Sequence, residues 1–278
     1  MTADRQADAA GAQEPAGQER EMRALALQAL ALRGWDEKTA AVAVIPAGAP
    51  VDAQREIAEP PGLPGRPDAP ALVPPARLER RAVGTREGRA ALLHALAHIE
   101  FNAVNLALDA IWRFAGMPPD YYRDWLRVAH EEARHFELLR SHLAGLGHAY
   151  GDFPAHDGLW ETARRTRGDL LARLALVPRT LEARGLDASP AIRDKLARVG
   201  DAGGAAILDV ILRDEIGHVA IGNRWYKWLC RERGLDPLAA YPELAQRYGA
   251  ARLKGPFNLA ARRAAGFDED ELRALSGP

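Results

Sequence analysis

From Glu87 to Arg233 the apolar residues recur every third or fourth position, the period that lets one face of a helix turn inward. Four long segments carry this pattern, at roughly 87–114, 119–146, 159–185 and 203–233. Turn chemistry separates them: GMPP at 116–119, GHAYGDFPAHDG at 147–158, and GLDASP at 185–190, which is expected to end the third segment. No run of alternating residues suggests strands. The chain therefore reads as all-α, a four-helix bundle over 87–235 with additions at both ends.

The additions read differently. Residues 1–20 have no apolar period and are expected to form a disordered tail. Within 21–86, MRALALQALALRG (Met22 to Gly34) predicts a short helix ending at glycine, and the prolines and glycines of 46–76 predict an extended arm lying along the bundle. Residues 236–278 form a helical extension in which DEDELRAL (268–275) places acids at a helix N-terminus.

Acids break the apolar stripes. In the first long helix Glu100 interrupts the stripe of Leu93, Leu96, Val104, Ala107 and Ile111. In the second, Glu132 and His135 sit among Trp125, Val128, Ala129, Phe136 and Leu139. In the fourth, Glu215 and His218 share a face with Leu208, Ile211, Gly222 and Trp225. The third segment is apolar on much of its circumference and contains Pro178, which frees the Leu174 carbonyl and places Glu182 one turn beyond an expected kink. Glu182 is taken as the fourth inward acid.

An ionised carboxylate in a low-dielectric core costs several kcal/mol unless a counter-charge neutralises it. No inward Lys or Arg is evident on the stripes. Two divalent cations would bring +4 against the −4 of Glu100, Glu132, Glu182 and Glu215, with His135 and His218 neutral. An empty site of this kind is expected to take up protons instead.

HEEARH (130–135) looks like the H-E-x-x-H of zinc proteases, but His130 and His135 are five residues apart, roughly 140° around a helix, and cannot readily share a metal. The pairs that share a face are Glu132/His135 and Glu215/His218, each at i and i+3. The second pair follows the first by 215 − 132 = 83 residues, and Glu182 follows Glu100 by 182 − 100 = 82. Such in-register halves match a bundle in which two helices each give a Glu and the other two each give Glu-x-x-His. The second and third helices then run parallel, and the loop at 147–158, at about 3.3 Å per residue, spans the roughly 40 Å required.

Neighbours of the ligands have two readings. Glu131 and Asp214, immediately before Glu132 and Glu215, suit acceptors for the outward ring nitrogens of metal-bound histidines; Glu131 suits a solvated surface acid equally well. Gly217 makes room either for a ligand or for close helix packing. His98 lies about 160° from the Glu100 face, so His98 and its neighbour His94 are expected to pack against the N-terminal segment rather than bind metal.

Composition narrows the classes further. Across 278 residues, 37 Lys and Arg face 38 Asp and Glu, a net charge of −1, which gives no general field for nucleic acid or anionic membranes. The arginine clusters RLERR, TREGR and RRTR lack interleaved aromatics and read as solvated faces. One cysteine, Cys230, leaves no disulfide framework, and the N-terminus has no basic and apolar signal pattern, so a cytoplasmic protein is expected. No stretch is read as reaching the roughly 18 apolar residues of a membrane span.

With Glu100, Glu132-Ala-Arg-His135, Glu182 and Asp214-Glu215-Ile-Gly-His218 in place, the chain resembles the ferritin-like di-iron carboxylate superfamily over about Glu87 to Arg233. The fuller text PGRPDAPALVPP, LLHALAHIEFNAVNLALDA, HEEARHFELL, YGDFPAHDGLWE and LEARGLD is similar to an uncharacterised bacterial family within it. The resemblance implies two iron ions, or manganese or a mixed Mn/Fe pair, bridged by Glu132 and Glu215, with one terminal carboxylate and one histidine on each. Asp214 matches the acid that holds a metal-bound histidine in the ribonucleotide reductase radical subunit, whereas no motif matches that enzyme's radical tyrosine. The expected function is a dioxygen-activating oxidase or hydroxylase of a small molecule, with an external electron donor. Iron oxidation or storage without an organic substrate, and a non-catalytic metal-binding scaffold, are the alternatives.

Overall fold

A computed structural model describes residues 20–79 and 81–276; the expected tail lies outside the described residues except for Arg20. The described chain is helical without strands. Its long helices are α3 (Arg86–Arg113), α4 (Pro119–Gly145), a helix continuous from α6 (Leu170–Leu176) to α7 (Ala183–Arg198), and α8 (Ala202–Glu232). Their starts follow from local chemistry: Thr85, Asp169 and Asp201 side chains accept from the Gly88, Ala172 and Gly204 amides, and Pro119 begins α4 where no donor is needed. The helix α3 packs on α4, α4 on α8, and α7 on α8.

The expected third segment is divided. Residues 159–165 belong to a separate helix, α5 (Gly158–Arg165), which extends the 147–158 crossover. The chain re-enters the helix layer only at Leu170. GLDASP does not end that helix, which runs through Pro190 to Arg198. A proline here removes the bond to the Leu186 carbonyl, and the Asn258 side-chain amide replaces it at 3.2 Å. Sequence order hides this partner, which is supplied from 72 residues away.

At Pro178 the chain forms a π-helical turn, Val177–Glu182, between α6 and α7. The Thr180 hydroxyl donates to the Ala175 carbonyl at 2.8 Å across it. The turn bulges toward α8 and is received at Gly222, where a Cβ would lie 2.4 Å from the Pro178 Cβ. Close packing thus explains Gly222. At Gly217 an added Cβ meets nothing within 4 Å, so close packing does not account for that glycine.

The chain before the long helices is more ordered than its composition implies. Besides α1 (Met22–Ala31), a second helix α2 (Trp35–Ala43) follows, and Gly34 caps the start of α2 rather than the end of α1. A proline-rich arm has few donors but keeps its carbonyls, and buried cations satisfy several of them. The Arg23 guanidinium donates to Asp52, Arg55 and Trp112 carbonyls, and the Lys38 ammonium to Leu30 and Gly65 carbonyls and the Asn105 side chain. The arm also bonds to the crossover, through Val73 N to Ala155 O (2.8 Å) and Ala155 N to Ala71 O (3.0 Å).

With α1 against it, α3 is buried on every side from Glu100 to Trp112 except at the helix ends. It is, after all, long and apolar enough to cross a membrane by length and composition, but 72% of its most apolar window is buried inside the protein. That makes it a core helix of this fold.

After α8 come α9 (Pro237–Arg247), α10 (Leu259–Ala264) and α11 (Glu269–Ser276). This extension grips the irregular helix: Glu271 pairs with buried Arg179 in the π turn at 2.5 Å, and Asp187 with buried Arg262 at 2.6 Å. Asp109 on α3 also pairs with buried Arg173 on α6. Inward arginines therefore exist, contrary to the reading of the stripes, but Arg173 and Arg179 are matched to Asp109 and Glu271. They were hidden because Arg in an apolar run looks like a snorkelling surface residue.

Gly222→Ala should cost about 1–3 kcal/mol by overpacking against Pro178. Thermal unfolding would show it as a Tm lowered by several degrees; an unchanged Tm would mean that the π turn can yield.

Candidate metal centre

The four glutamates reach one buried volume from four helical segments: Glu100 from α3, Glu132 from α4, Glu182 from the end of the π turn and Glu215 from α8. Glu132, His135 and His218 are 0% exposed, Glu100 4% and Glu215 7%. Glu182 is half-buried, but its Oε2 is sealed from solvent. Ligand atoms of Glu100, Glu132, His135 and Glu215 all lie within 4.8 Å of one another.

The imidazoles are oriented alike. Nδ1 of His135 is 3.3 Å from Glu100 Oε2 and 3.4 Å from Glu132 Oε2, while Nδ1 of His218 is 3.0 Å from Glu132 Oε1 and 3.8 Å from Glu215 Oε1. Each oxygen of Glu132 therefore faces a different histidine. Their Nε2 atoms point outward to acids: His135 to Asp214 at 3.1 Å, His218 to Glu131 at 2.7 Å. The acid on α8 holds the histidine on α4, and the acid on α4 holds the histidine on α8. Fixing Nε2 in this way leaves Nδ1 as the edge offered to the cluster.

Buried polar atoms are normally paired, and here they are not. Glu100 Oε2, Glu132 Oε1, Glu182 Oε2, Glu215 Oε2 and His218 Nδ1 are buried without a well-directed hydrogen bond, although His218 Nδ1 lies close to Glu132 Oε1 and His135 Nδ1 close to Glu100 Oε2. Unpaired buried atoms occur elsewhere in the fold too, but among the described residues only here do four carboxylates and an imidazole contribute them from adjoining side chains. Carboxylate oxygen with imidazole nitrogen is a donor set suited to iron or manganese. The residues fit a cation cluster.

The cluster's electrostatics agree. Burial, reinforced by Glu132 beside it, raises the Glu100 carboxyl well above the usual range; burial and nearby Glu215 do the same to Glu182, and burial and Glu132 raise Glu215. Burial works against charging the histidines, but the facing carboxylates outweigh it, lifting His135 to about 11 and His218 well above its ordinary value. Only Glu132 goes the other way. Burial would raise it, but His218 and His135 hold it below the carboxylate range. Without cations the site carries protons.

His130, His94 and His98 are engaged outside the cluster. His130 Nε2 donates to the Val42 carbonyl at 2.9 Å. The expectation that His94 and His98 pack against the N-terminal segment is corrected: both meet the crossover instead. Gly151 N donates to His94 Nε2 at 2.9 Å, and His98 lies between Tyr150 Oη (2.8 Å) and the His156 carbonyl (3.1 Å). The crossover folds back over α3, which spacing along the chain does not reveal.

Beside the cluster lies a cavity of about 350 Å³ with Glu100, Glu182 and Glu215 in its wall. The rest of the wall is mainly apolar, including Leu96, Ile99, Leu106, Ile192, Leu208 and Ile211. Sequence reasoning missed it, because these residues come from separate helices and look like ordinary core. Gly217 is not among its lining residues.

Two expected outcomes follow. Asp214→Asn or Glu131→Gln should weaken metal binding about 10–100-fold by releasing one imidazole, which competitive chelator titration would measure. In the metal-free protein, groups with raised folded pKa values bind more protons folded than unfolded, so they stabilise at low pH and that stability is lost as pH rises. For His135 the loss runs from its unfolded value near 6.5 toward about 11. Glu132 has the opposite sign, but its contribution is complete above the ordinary carboxylate range and is constant from pH 6 to 9. Lys38, pushed down to about 7, works the other way above pH 7, one group against His135, His218 and the three raised carboxyls. The Tm of chelator-treated protein should therefore fall between pH 6 and pH 9; a Tm that rises would overturn this electrostatic account.

Residues 18–273 match the family model described as protein of unknown function (DUF455). A Haemophilus influenzae protein described as uncharacterized is 52% identical over 213 residues, covering 74% of each chain. No solved structure matches.

Proposed function

We propose that this chain, which belongs to the DUF455 family, is a two-metal oxidoreductase built on a ferritin-like four-helix bundle of α3, α4, the α6–α7 helix and α8. The observation that carries this reading is the convergence of unpartnered carboxylate oxygens with two imidazoles whose outer nitrogens are already held. Structural polar clusters satisfy themselves; this one leaves its inner atoms open.

The geometry suggests the roles. Glu132, with an oxygen toward each histidine, suits a bridge, and Glu215, within reach of Glu132, His135 and His218, suits the second. Glu100 lies against His135, which supports one terminal carboxylate and one histidine on that ion, and Glu182, whose buried Oε2 is unpartnered in the same cavity wall, suits the terminal carboxylate of the other. Two irons held there would activate dioxygen with electrons renewed by an external donor. Glu131 and Asp214 fix the imidazoles, and the apolar walls keep water from the reacting side. Manganese or a mixed pair fits the same donors.

The apolar cavity beside the carboxylates favours a small organic substrate over iron oxidation alone, which needs no such space. With Cys230 a buried free thiol, the cytoplasm is the proposed compartment. Protein from iron-supplemented cells should hold two irons per chain by metal analysis, and after anaerobic reduction should consume dioxygen. Glu132→Ala and Glu215→Ala should each lose the paired ions. Retention of both irons with unchanged oxygen uptake in either variant would refute the bridging roles.

A further inference from the structure

The cavity wall contains more information than its apolar character. Once Glu100, Glu182 and Glu215 are assigned to metal, Arg184 is the one full charge left on the wall among the described residues. It is exposed, placing it at the rim, and it makes no hydrogen bond or ion pair to any described residue. The buried arginines Arg173, Arg179 and Arg262 each have a carboxylate partner, whereas Arg184 keeps its charge free at the cavity mouth. The remaining titratable wall group, His156, is already engaged, its Nδ1 accepting from the Gly158 amide at 3.2 Å.

The face of α7 that lines the cavity is also kept small. Gly185, Ala188 and Ser189 follow Arg184 along it, and a Cβ at Gly185 would meet nothing within 4 Å. Glycine in a helix interior is unfavourable by propensity and here relieves no clash. Its effect is to leave space open between the rim and the carboxylates.

We propose that this cavity binds a slender apolar molecule ending in an anionic group, its charge held by Arg184 and its apolar end lying beside Glu100 and Glu215. This names the substrate class of the proposed oxidoreductase and rests on the reading of the glutamates as metal ligands. At about 350 Å³ the space is at the small end of the roughly 300–1,000 Å³ of small-molecule sites. An apolar wall with a single cation at the mouth orients such a ligand head outward and tail inward. A neutral ligand of the same shape gains the burial but loses the charge-assisted bond.

Calorimetric titration of the purified full-length protein with sodium octanoate and with octanamide at pH 7.5 tests this, metal content being measured in parallel. Octanoate should bind at least about tenfold tighter than octanamide, the difference one charge-assisted bond supplies. Arg184→Gln should bring octanoate to the level of octanamide and leave octanamide unchanged, while Gly185→Leu, a better helix former, should weaken both. Equal binding of the two probes, or octanoate binding indifferent to Arg184→Gln, overturns the anionic class. Failure of both probes to bind protein that holds its metal pair overturns the inference and leaves the metal centre standing. Octanoate binding through Arg184 in protein that holds no metal supports the cavity and removes the metal centre instead.

Discussion

Carboxylates that share a dry volume repel one another and lose their hydration, and the rest of this molecule is arranged around that constraint. Glu100, Glu132, Glu182 and Glu215 meet with two imidazoles, while every nearby buried arginine is matched to a different acid. Protein cations are thus kept out of the cluster. What remains to balance it is either protons, as the raised Glu100, Glu182 and Glu215 carboxyls indicate, or metal ions. The same Nδ1 edges of His135 and His218 serve both states, as donors when protonated and as ligands when not.

Glu182 comes to that cluster from an irregular helix. Pro178 and Pro190 each remove a backbone donor, and the π turn shifts the register between them. The structure compensates from outside the helix: Asn258 reaches Leu186, Arg262 pairs with Asp187, Glu271 pairs with Arg179, and Gly222 accommodates Pro178. The C-terminal extension is therefore part of the support of the site rather than an appendage.

A similar logic governs the other end. Arg23 and Lys38 spend buried positive charge on arm carbonyls, closing one side of α3. Burial pushes Lys38 down to about 7, and three acceptors hold it in place. With that side closed and the crossover over His94 and His98, the cavity side of α3, where Ile99 is 42% exposed, is left near the cluster.

Periodicity placed three of the four long helices but misdrew the third, and elementary electrostatics singled out Glu100, Glu132, His135, Glu182, Glu215 and His218, since i and i+3 spacing and an acid on an apolar stripe are local facts. Partner choice was not local. That Glu131 serves His218 and Asp214 serves His135, each across the helix interface, depends on how α4 and α8 face each other. The helical passage through GLDASP, the pairing of Arg173 with Asp109 and the cavity beside Glu100 likewise need residues tens of positions apart. Spacing along one helix determines which side chains share a face; only packing decides what that face meets.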